Sequence, residues 1–287
     1  MVLIAGELRS AGAGILPSTI EDFRAAVLGH YAAEGRSFPW RETDDPWLVL
    51  VSEIMLQQTR TDRVIAYWLR WRELWPNPAA LAAAPLEEVL REWSGLGYNR
   101  RARFLKEAAI AVTERMGGTL SGKVSELETL PGIGPYTARA VACFAFNEPI
   151  AFIETNIRAA AIHFFFPDRV EVKDSEILPF LEAALDRSDP RRWNWALMDY
   201  GAALKRLTVN PGRRSAHHVR QSPFQGSLRQ ARGAALRILS TTGPSCLRGL
   251  ADETGLPEDR LVPALRSLVS DSMVAEAAGV YRINDLG

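Results

Sequence analysis

Apolar and polar positions follow the period of α-helices through the first 200 residues. Over residues 23–31 apolar side chains recur three or four positions apart, so they share one helical face. Residues 47–56 are almost entirely apolar, which predicts a buried helix with Asp44 or Asp45 as N-cap and Pro46 at its first position. Further helices are predicted at about 61–75, 86–92, 99–116, 135–146, 155–166, 174–186 and 193–207. Glycine and proline lie at the breaks between them.

The pattern changes from about residue 223. Three amphipathic helices are predicted at 227–239, 245–253 and 257–270. Two short strands with alternating apolar and polar residues are predicted at 273–277 and 279–283. Three helices and a hairpin predict a winged helix that binds DNA through the second of its last two helices. A packing or partner-binding module is the alternative, because residues 241–287 carry seven acidic residues against four arginines.

Composition indicates a soluble globular chain, with 287 residues, 47% hydrophobic and 24% charged. That length suffices for two or three domains. Lys+Arg and Asp+Glu both number 34, so the net charge gives no sign of a nucleic-acid partner.

The charge is nevertheless unevenly distributed. Eight lysines and arginines and no acidic residue lie between Ala202 and Arg237, interleaved with two histidines. Solvated charged faces usually mix signs, so we expect this basic segment to contact DNA phosphates, a solvated face being the alternative. Its candidate contacts include Arg213, Arg214 and Arg220.

Neither a membrane nor a metal is indicated. The apolar run at the N-terminus is too short for a signal peptide, and no stretch approaches a membrane span. Cys143 and Cys246 alone can build neither a disulfide framework nor a four-cysteine cluster. His163, His217 and His218 lack the acid or cysteine spacing of a metal site. We expect a cytoplasmic monomer without metal or cofactor.

The sequence LPGIGPYT at residues 130–137 is typical of a helix-hairpin-helix. Gly132 and Gly134 let the backbone approach a phosphate closely, and the next helix, with Thr137 in its first turn, presents free N–H groups. Glu154 follows 24 residues after Leu130, where a carboxylate can act on a nucleoside. Together these features predict a DNA repair glycosylase.

Several further motifs, in order over about residues 20–205, resemble the helix-hairpin-helix (HhH-GPD) DNA glycosylase superfamily, most closely its MutY-type adenine glycosylase branch. They are Pro-Trp-Arg at 39–41, SEIMLQQT at 52–59, GLGY at 95–98 and WALMDYG at 195–201. The resemblance implies a base-flipping enzyme acting on double-stranded DNA with a mispaired or damaged base.

Glu53 lies on a largely apolar helix, so burial should raise its pKa and suit it to act as a general acid on a purine. A core carboxylate paired with an arginine is the alternative. Gln57, Gln58 and Thr59 come at the end of the same helix and are placed, with Tyr98, to fill the gap and contact the opposite base. By resemblance, Gln58 and Tyr98 are the wedges that fill the gap left by a flipped base.

The second carboxylate departs from the family pattern, which has aspartate where this chain has Glu154. It is expected to stabilise the positively charged sugar as a nucleophile or as an electrostatic partner. Asn156 is expected to steady the same region or to act as a helix N-cap. Tyr136 stands where bifunctional relatives place a Schiff-base lysine, so we expect no β-lyase activity. A plain packing role for Tyr136 is the alternative. The family's four-cysteine loop and its C-terminal domain for 8-oxoguanine have no counterpart.

The predicted fold is mainly α: a two-lobed HhH-GPD core at 18–222 and a winged-helix domain at 223–287. Within the core, one six-helix lobe covers about 46–150 and the second combines 18–45 with 151–222. The predicted function is monofunctional removal of adenine opposite 8-oxoguanine or guanine in base excision repair. The alternatives are removal of another base (thymine or uracil opposite guanine, or hypoxanthine) and a catalytically silent DNA-binding protein.

Overall fold

The computed structural model describes residues 17–219 and 223–284. It divides into two compact units, each built from two stretches of chain. The first unit takes its described residues from Met1–Arg41 and Ala138–Arg220, and the second from Glu42–Thr137 and Gln221–Gly287. The predicted domain boundaries remain a prediction.

The first unit packs helices around an aromatic core. Its helices are α1 (Pro17–Glu34), the greater part of α8 (Pro135–Phe146), α9 (Thr155–Phe165), α10 (Asp174–Ala184) and α11 (Pro190–Leu207). α11 packs on α9 and on α1, while α10 packs on α1 and α9. The buried rings of Phe23 and Trp193 meet edge to face with centroids 6.1 Å apart.

The second unit begins with a helix that is buried along most of its length, α2 (Pro46–Leu56). The side chain of Asp45 accepts from the amides of Trp47 and Leu48, and Pro46 occupies the first turn, as the sequence predicts. Five more helices follow, α3 (Thr61–Leu74), α4 (Pro78–Ala83), α5 (Leu86–Trp93), α6 (Arg100–Arg115) and α7 (Val124–Leu127). α6 packs against α2, α4 and α5.

The C-terminal segment of the second unit combines helices with a small antiparallel sheet. Its elements are α12 (Leu228–Thr241), β1 (Ser245–Cys246), α13 (Leu247–Thr254), α14 (Glu258–Ser270), β2 (Val274–Ala277) and β3 (Val280–Ile283). The strand order is β1-β3-β2, with Ser245 opposite Tyr281 and Val274 opposite Ile283. α12 packs on α13, α14 and β3, and also on α5.

The mainly helical fold is confirmed, and most predicted helices end within two residues of the observed ones. Two prolines expected at breaks instead begin helices: Pro78 starts α4 behind the Asn77 cap, and Pro190 starts α11 behind the Asp189 cap. The helix predicted from Ser245 begins only at Leu247, because residues 245–246 pair with β3. No described helix has the length and apolar character that crossing a membrane requires.

Candidate active site

A buried carboxyl group on α2 receives a hydrogen bond from the helix-hairpin-helix. Glu53 is only 4% exposed, and the hydroxyl of Tyr136 donates to its Oε2 at 2.9 Å. Tyr136 lies in the first turn of α8, directly after the hairpin loop. The structure thus unites two of the motifs, and it gives the Tyr136 hydroxyl a polar partner beyond any packing role.

The chain leaves α2 through a loop in an unusual conformation. Gln58 has a φ of 54°, a region that favours glycine, and Tyr98 in the glycine loop has a φ of 50°. Non-glycine residues held in this way carry strain that neighbouring contacts must offset. Both positions are predicted wedges.

Gln57 is tied to the helix that follows the hairpin. Its Nε2 donates to the hydroxyl of Thr137 at 3.2 Å, and the Thr137 side chain is buried. The Thr137 side chain is therefore used inside the protein. Only its backbone amide is left for a phosphate.

The hairpin glycines serve different purposes. Gly132 has a φ of +75°, and a Cβ there would lie 2.6 Å from Cβ of Phe104, so both conformation and space require glycine. A Cβ at Gly134 would meet nothing within 4 Å. Gly134 immediately precedes α8, whose first amides have no helical acceptor. That end of the helix can therefore receive an anion.

Arg101 joins the end of α2 to the glycine loop. Its guanidinium donates hydrogen bonds of 2.7–3.2 Å to six oxygen atoms. They are the Thr59 hydroxyl and the backbone carbonyls of Ile54, Met55, Gln57, Leu96 and Gly97. Burial lowers the pKa of Arg101 to about 10, which leaves it charged at neutral pH. The sequence assigned this residue no role, although it binds the backbone directly before each predicted wedge, at Gln57 and at Gly97.

A cavity of about 530 Å³ opens beside these wedges. Gln58 and Tyr98 line one side, and α12 lines another with Arg229 and Arg232. Asp271 accepts from Arg232 at 2.7 Å and also from Arg100, which links α12, α14 and α6. Arg229 was counted only as part of the basic segment, and no spacing in the sequence connected it with Tyr98.

The second carboxylate lies in the first unit, at the start of α9. Glu154 is the N-cap, and its Oε1 accepts from the amides of Asn156 and Ile157, both at 2.6 Å. Its Oε2 accepts from Thr155 Oγ1 and Asn156 Nδ2, both at 3.2 Å. The N-cap role considered for Asn156 thus belongs to Glu154, and Asn156 is a donor to its carboxylate.

A buried ion-pair cluster explains two of the other motifs. Asp199 on α11 accepts from Arg41 Nη1 and Nη2, each at 2.9 Å, and from Arg36 Nε at 2.8 Å. Burial acts to raise the pKa of Asp199, but the hydrogen bonds from the two arginines lower it overall. The Pro-Trp-Arg and WALMDYG motifs therefore meet through Arg41 and Asp199.

The basic segment is divided between the two units. In the first unit a 3₁₀ turn, Pro211–Arg214, packs on α9 and α11. Arg214 Nη1 donates to Phe166 O at 2.5 Å, and Nη2 reaches Ile162 O at 3.3 Å, so the guanidinium caps the end of α9. Arg213 lies in the same turn, whereas Arg220 lies outside the described residues.

The family's four-thiolate cluster does not fit this chain. The full sequence has two cysteines: Cys143, buried on α8, and the exposed Cys246, whose sulfur accepts from the amide of Gly249. Among residues 17–219 and 223–284, no group of three or more His, Cys, Asp or Glu is placed to hold a metal ion.

Comparison with known proteins agrees with this geometry. The family model for the HhH-GPD superfamily base excision DNA repair protein matches residues 51–178. The adenine DNA glycosylase of Mycobacterium tuberculosis (strain CDC 1551 / Oshkosh) is 34% identical over 272 residues, covering 86% of this chain and 88% of that protein. That of Mycolicibacterium smegmatis (strain ATCC 700084 / mc(2)155) is 35% identical, covering 88% and 92%.

Solved structures share the fold. The structure of a thermostable thymine-DNA glycosylase superposes with a TM-score of 0.58 at 25% identity, covering 64% of this chain and 87% of that one. Given the near full-length similarity to the mycobacterial proteins, the chain belongs to the HhH-GPD superfamily of base excision DNA repair glycosylases, in its MutY-type adenine glycosylase branch.

Proposed function

We propose that this chain excises adenine from mispairs in double-stranded DNA, opposite 8-oxoguanine or guanine. The observation that carries the proposal is the Glu53–Tyr136 pair, a buried carboxyl group oriented by a hydroxyl at 2.9 Å. Burial disfavours the charged form of a carboxyl group, and a carboxyl group in such surroundings can serve as a general acid. Nearly full-length relatives named adenine DNA glycosylase support the choice of base.

Glu53 acts as the general acid. It gives its proton to a ring nitrogen of the flipped adenine, the C1′–N9 bond breaks, and its electron pair leaves with the base. A positive charge develops on the deoxyribose. Water then adds to C1′, and its proton passes to the Glu53 carboxylate, which restores the acid.

Glu154 stabilises the positive sugar. Two carboxyl groups with different environments serve the same two purposes in sugar hydrolases. Four donors hold the Glu154 oxygens, from Thr155, Asn156 and Ile157, and they fix the carboxylate even though its side chain is one methylene longer than aspartate. Replacing Glu154 with aspartate keeps the negative charge and shortens the side chain by one methylene. The Glu154→Asp variant therefore tests the position of the carboxylate rather than its charge.

The reaction is proposed to stop at the abasic site. Strand cleavage by β-elimination needs an amine that forms a Schiff base with the opened sugar. Tyr136 occupies the position after the hairpin loop, and its hydroxyl serves Glu53. The product is then an intact strand that breaks only on treatment with alkali.

DNA binding is proposed to use several elements. The hairpin backbone at Gly132 and Gly134 and the basic residue Arg213 contact phosphates, while Gln58 and Tyr98 fill the gap left by the flipped base. The C-terminal segment has the element order of a winged helix, and we propose that assignment for residues 223–287. The protein is proposed to act as a cytoplasmic monomer.

The test uses labelled duplexes carrying adenine, thymine, uracil or hypoxanthine opposite guanine, 8-oxoguanine or cytosine. Breaks that appear only after alkali, and only with adenine mispairs, are the expected result. Glu53→Gln should abolish them while duplex binding survives. Breaks without alkali would contradict the monofunctional proposal, and cleavage of a thymine or uracil duplex would reassign the base. Tight binding without any break would identify a silent DNA-binding protein.

A further inference from the structure

Lys205 lies in the last turn of α11 and reaches the start of α9. Its Nζ donates to Asn156 Oδ1 at 2.9 Å. Asn156 in turn donates from Nδ2 to Glu154 Oε2 at 3.2 Å. An ammonium, an amide and a carboxylate therefore form a continuous chain inside the first unit.

We propose that Lys205 is a positioning residue for Glu154, because it holds the Asn156 amide in the one orientation that presents a donor to the carboxylate. This inference rests on the proposed function, since Glu154 matters to the reaction only there.

The chemistry of the three groups requires this orientation. An ammonium has three donors and no acceptor, so only the oxygen end of an amide can face it favourably. Turning the Asn156 amide by 180° would place its NH₂ against Lys205 and its oxygen against the Glu154 carboxylate. Both contacts would be repulsive, so Lys205 selects the observed orientation.

The carboxylate is then held on both oxygens. Oε1 is fixed by the backbone amides of Asn156 and Ile157, and Oε2 by the Asn156 side chain together with Thr155. A glutamate has one more rotatable bond than an aspartate and loses more rotamer freedom when fixed. A second anchor on Oε2 compensates for that freedom in this chain.

The partly buried surroundings of Lys205 favour a strong hydrogen bond from its ammonium to Asn156. Lys205 is half-buried, and burial lowers its pKa, while Glu154 acts to raise it and Arg158 to lower it. The Arg158 guanidinium is itself paired with Asp174, at 2.7 Å on both oxygens. Hydrogen bonds are stronger where water is excluded, so removal of the ammonium should be felt at the carboxylate.

Close packing of the two helices brings Lys205 within reach. Gly201 lies one turn before Lys205 on α11, and a Cβ there would fall 1.9 Å from the carbonyl oxygen of Asn156. With hydrogen in that place, the α11 backbone lies directly against the start of α9.

The first experiment compares Lys205→Met with Lys173→Met, the same substitution at an exposed lysine of the same unit. Single-turnover excision of adenine is measured with enzyme in excess, and Kd is measured on a duplex whose 2′-fluorinated deoxyadenosine resists excision. We expect Lys205→Met to lower the rate by about 10- to 100-fold, a loss typical of small misplacements, with Kd within about twofold. Lys173→Met should match the wild type in both.

A double-mutant cycle tests the route through Asn156. If Lys205 acts through that amide, adding Lys205→Met to Asn156→Ala should change the rate by less than about twofold, because the coupled partner is already gone. Lys205→Arg retains a donor-only cation and should lose less rate than Lys205→Met.

Three results would overturn the inference: a wild-type rate in Lys205→Met, additive losses in the double variant, or a rate loss matched by an equal loss of binding or thermal stability. These differ from failure of the proposed function. In that case the wild type itself would leave every adenine duplex intact, and the inference would fall with it.

Discussion

The hydroxyl of Tyr98 accepts a hydrogen bond from Arg229 Nη1 at 2.5 Å, across 131 residues of sequence. The Arg229 guanidinium also lies 5.3 Å from the centroid of the Tyr98 ring, and that of Arg101 lies 5.6 Å from it. A proposed DNA wedge with strained backbone is thus held by two arginines. One of them comes from the C-terminal segment, so this segment takes part in organising the site.

Arg229→Met should weaken the preference for mispaired DNA. Loss of the hydrogen bond and the cation–π contact, together worth about 1 kcal/mol, should reduce the ratio of Kd values for matched and mispaired duplexes about fivefold. Fluorescence anisotropy with both duplexes measures that ratio. Arg248→Met, at an exposed position on α13, is the matched control. An unchanged ratio in Arg229→Met would show that Tyr98 needs no support from α12.

Arg101→Lys should destabilise the second unit. Lysine cannot reach six oxygen atoms in two directions, so several buried carbonyls would lose their donor. We expect the free energy of unfolding to fall by about 3 kcal/mol, in the range for breaking a buried charged network. Urea denaturation measures it, with the exposed Arg115→Lys on the same helix as a control expected within about 0.5 kcal/mol.

Asp199→Asn should cost stability in a pH-dependent way. The folded-state pKa of Asp199 lies below its ordinary value, so its ionised form stabilises the fold above about pH 4, and this stabilisation is lost as the pH falls through the lowered pKa. At pH 7 we expect a loss of about 3 kcal/mol, because two arginines lose their shared carboxylate.

The gap in stability between Asp199→Asn and wild type should narrow below about pH 4, because there the unfolded wild-type chain begins to bind a proton at Asp199 while the folded protein still holds the carboxylate charged. Denaturation midpoints at pH 7, 5 and 3 measure this trend. Asp22→Asn is the matched control, because Asp22 lies on the exposed face of α1 and outside the buried ion-pair cluster. A gap independent of pH would mean that packing, rather than charge, accounts for the loss.

Gly201→Ala should be strongly destabilising. Its methyl group would overlap the Asn156 carbonyl oxygen, so α9 and α11 would have to separate, at a cost of about 3 kcal/mol. Gly29→Ala is the control, since it lies inside α1 with nothing within 4 Å of its Cβ and should stabilise by about 0.5 kcal/mol. Thermal unfolding should show a lower Tm for Gly201→Ala and a higher Tm for Gly29→Ala. A neutral Gly201→Ala would contradict the close approach of the helices.

Elements with a strong local signal were predictable. The apolar run with its Asp45 cap and Pro46 marked α2. The short α4 and α7 were missed because six and four residues show too little periodicity. The strand β1 was missed because two residues acquire strand character only from their partner β3.

The same distinction applies to the candidate site. Glu53 and Tyr136 lie in contiguous motifs that can be read along the chain, whereas Arg101 and Arg229 matter through partners about 40 and 131 residues away. Lys205 counted only as one charge of a basic segment until its contact with Asn156 placed it beside Glu154. Such pairings depend on how helices pack, and no local pattern encodes them.

The interleaved order of the two units has a consequence for synthesis on the ribosome. The first unit has all its described residues once residue 219 has emerged. The second unit then still waits for 223–284, although its stretch 42–137 was made before residues 138–219. Until then the face of α5 that receives α12 stays uncovered. Nascent chains therefore pass through a stage in which the unit carrying Glu53 still lacks its last helices and strands.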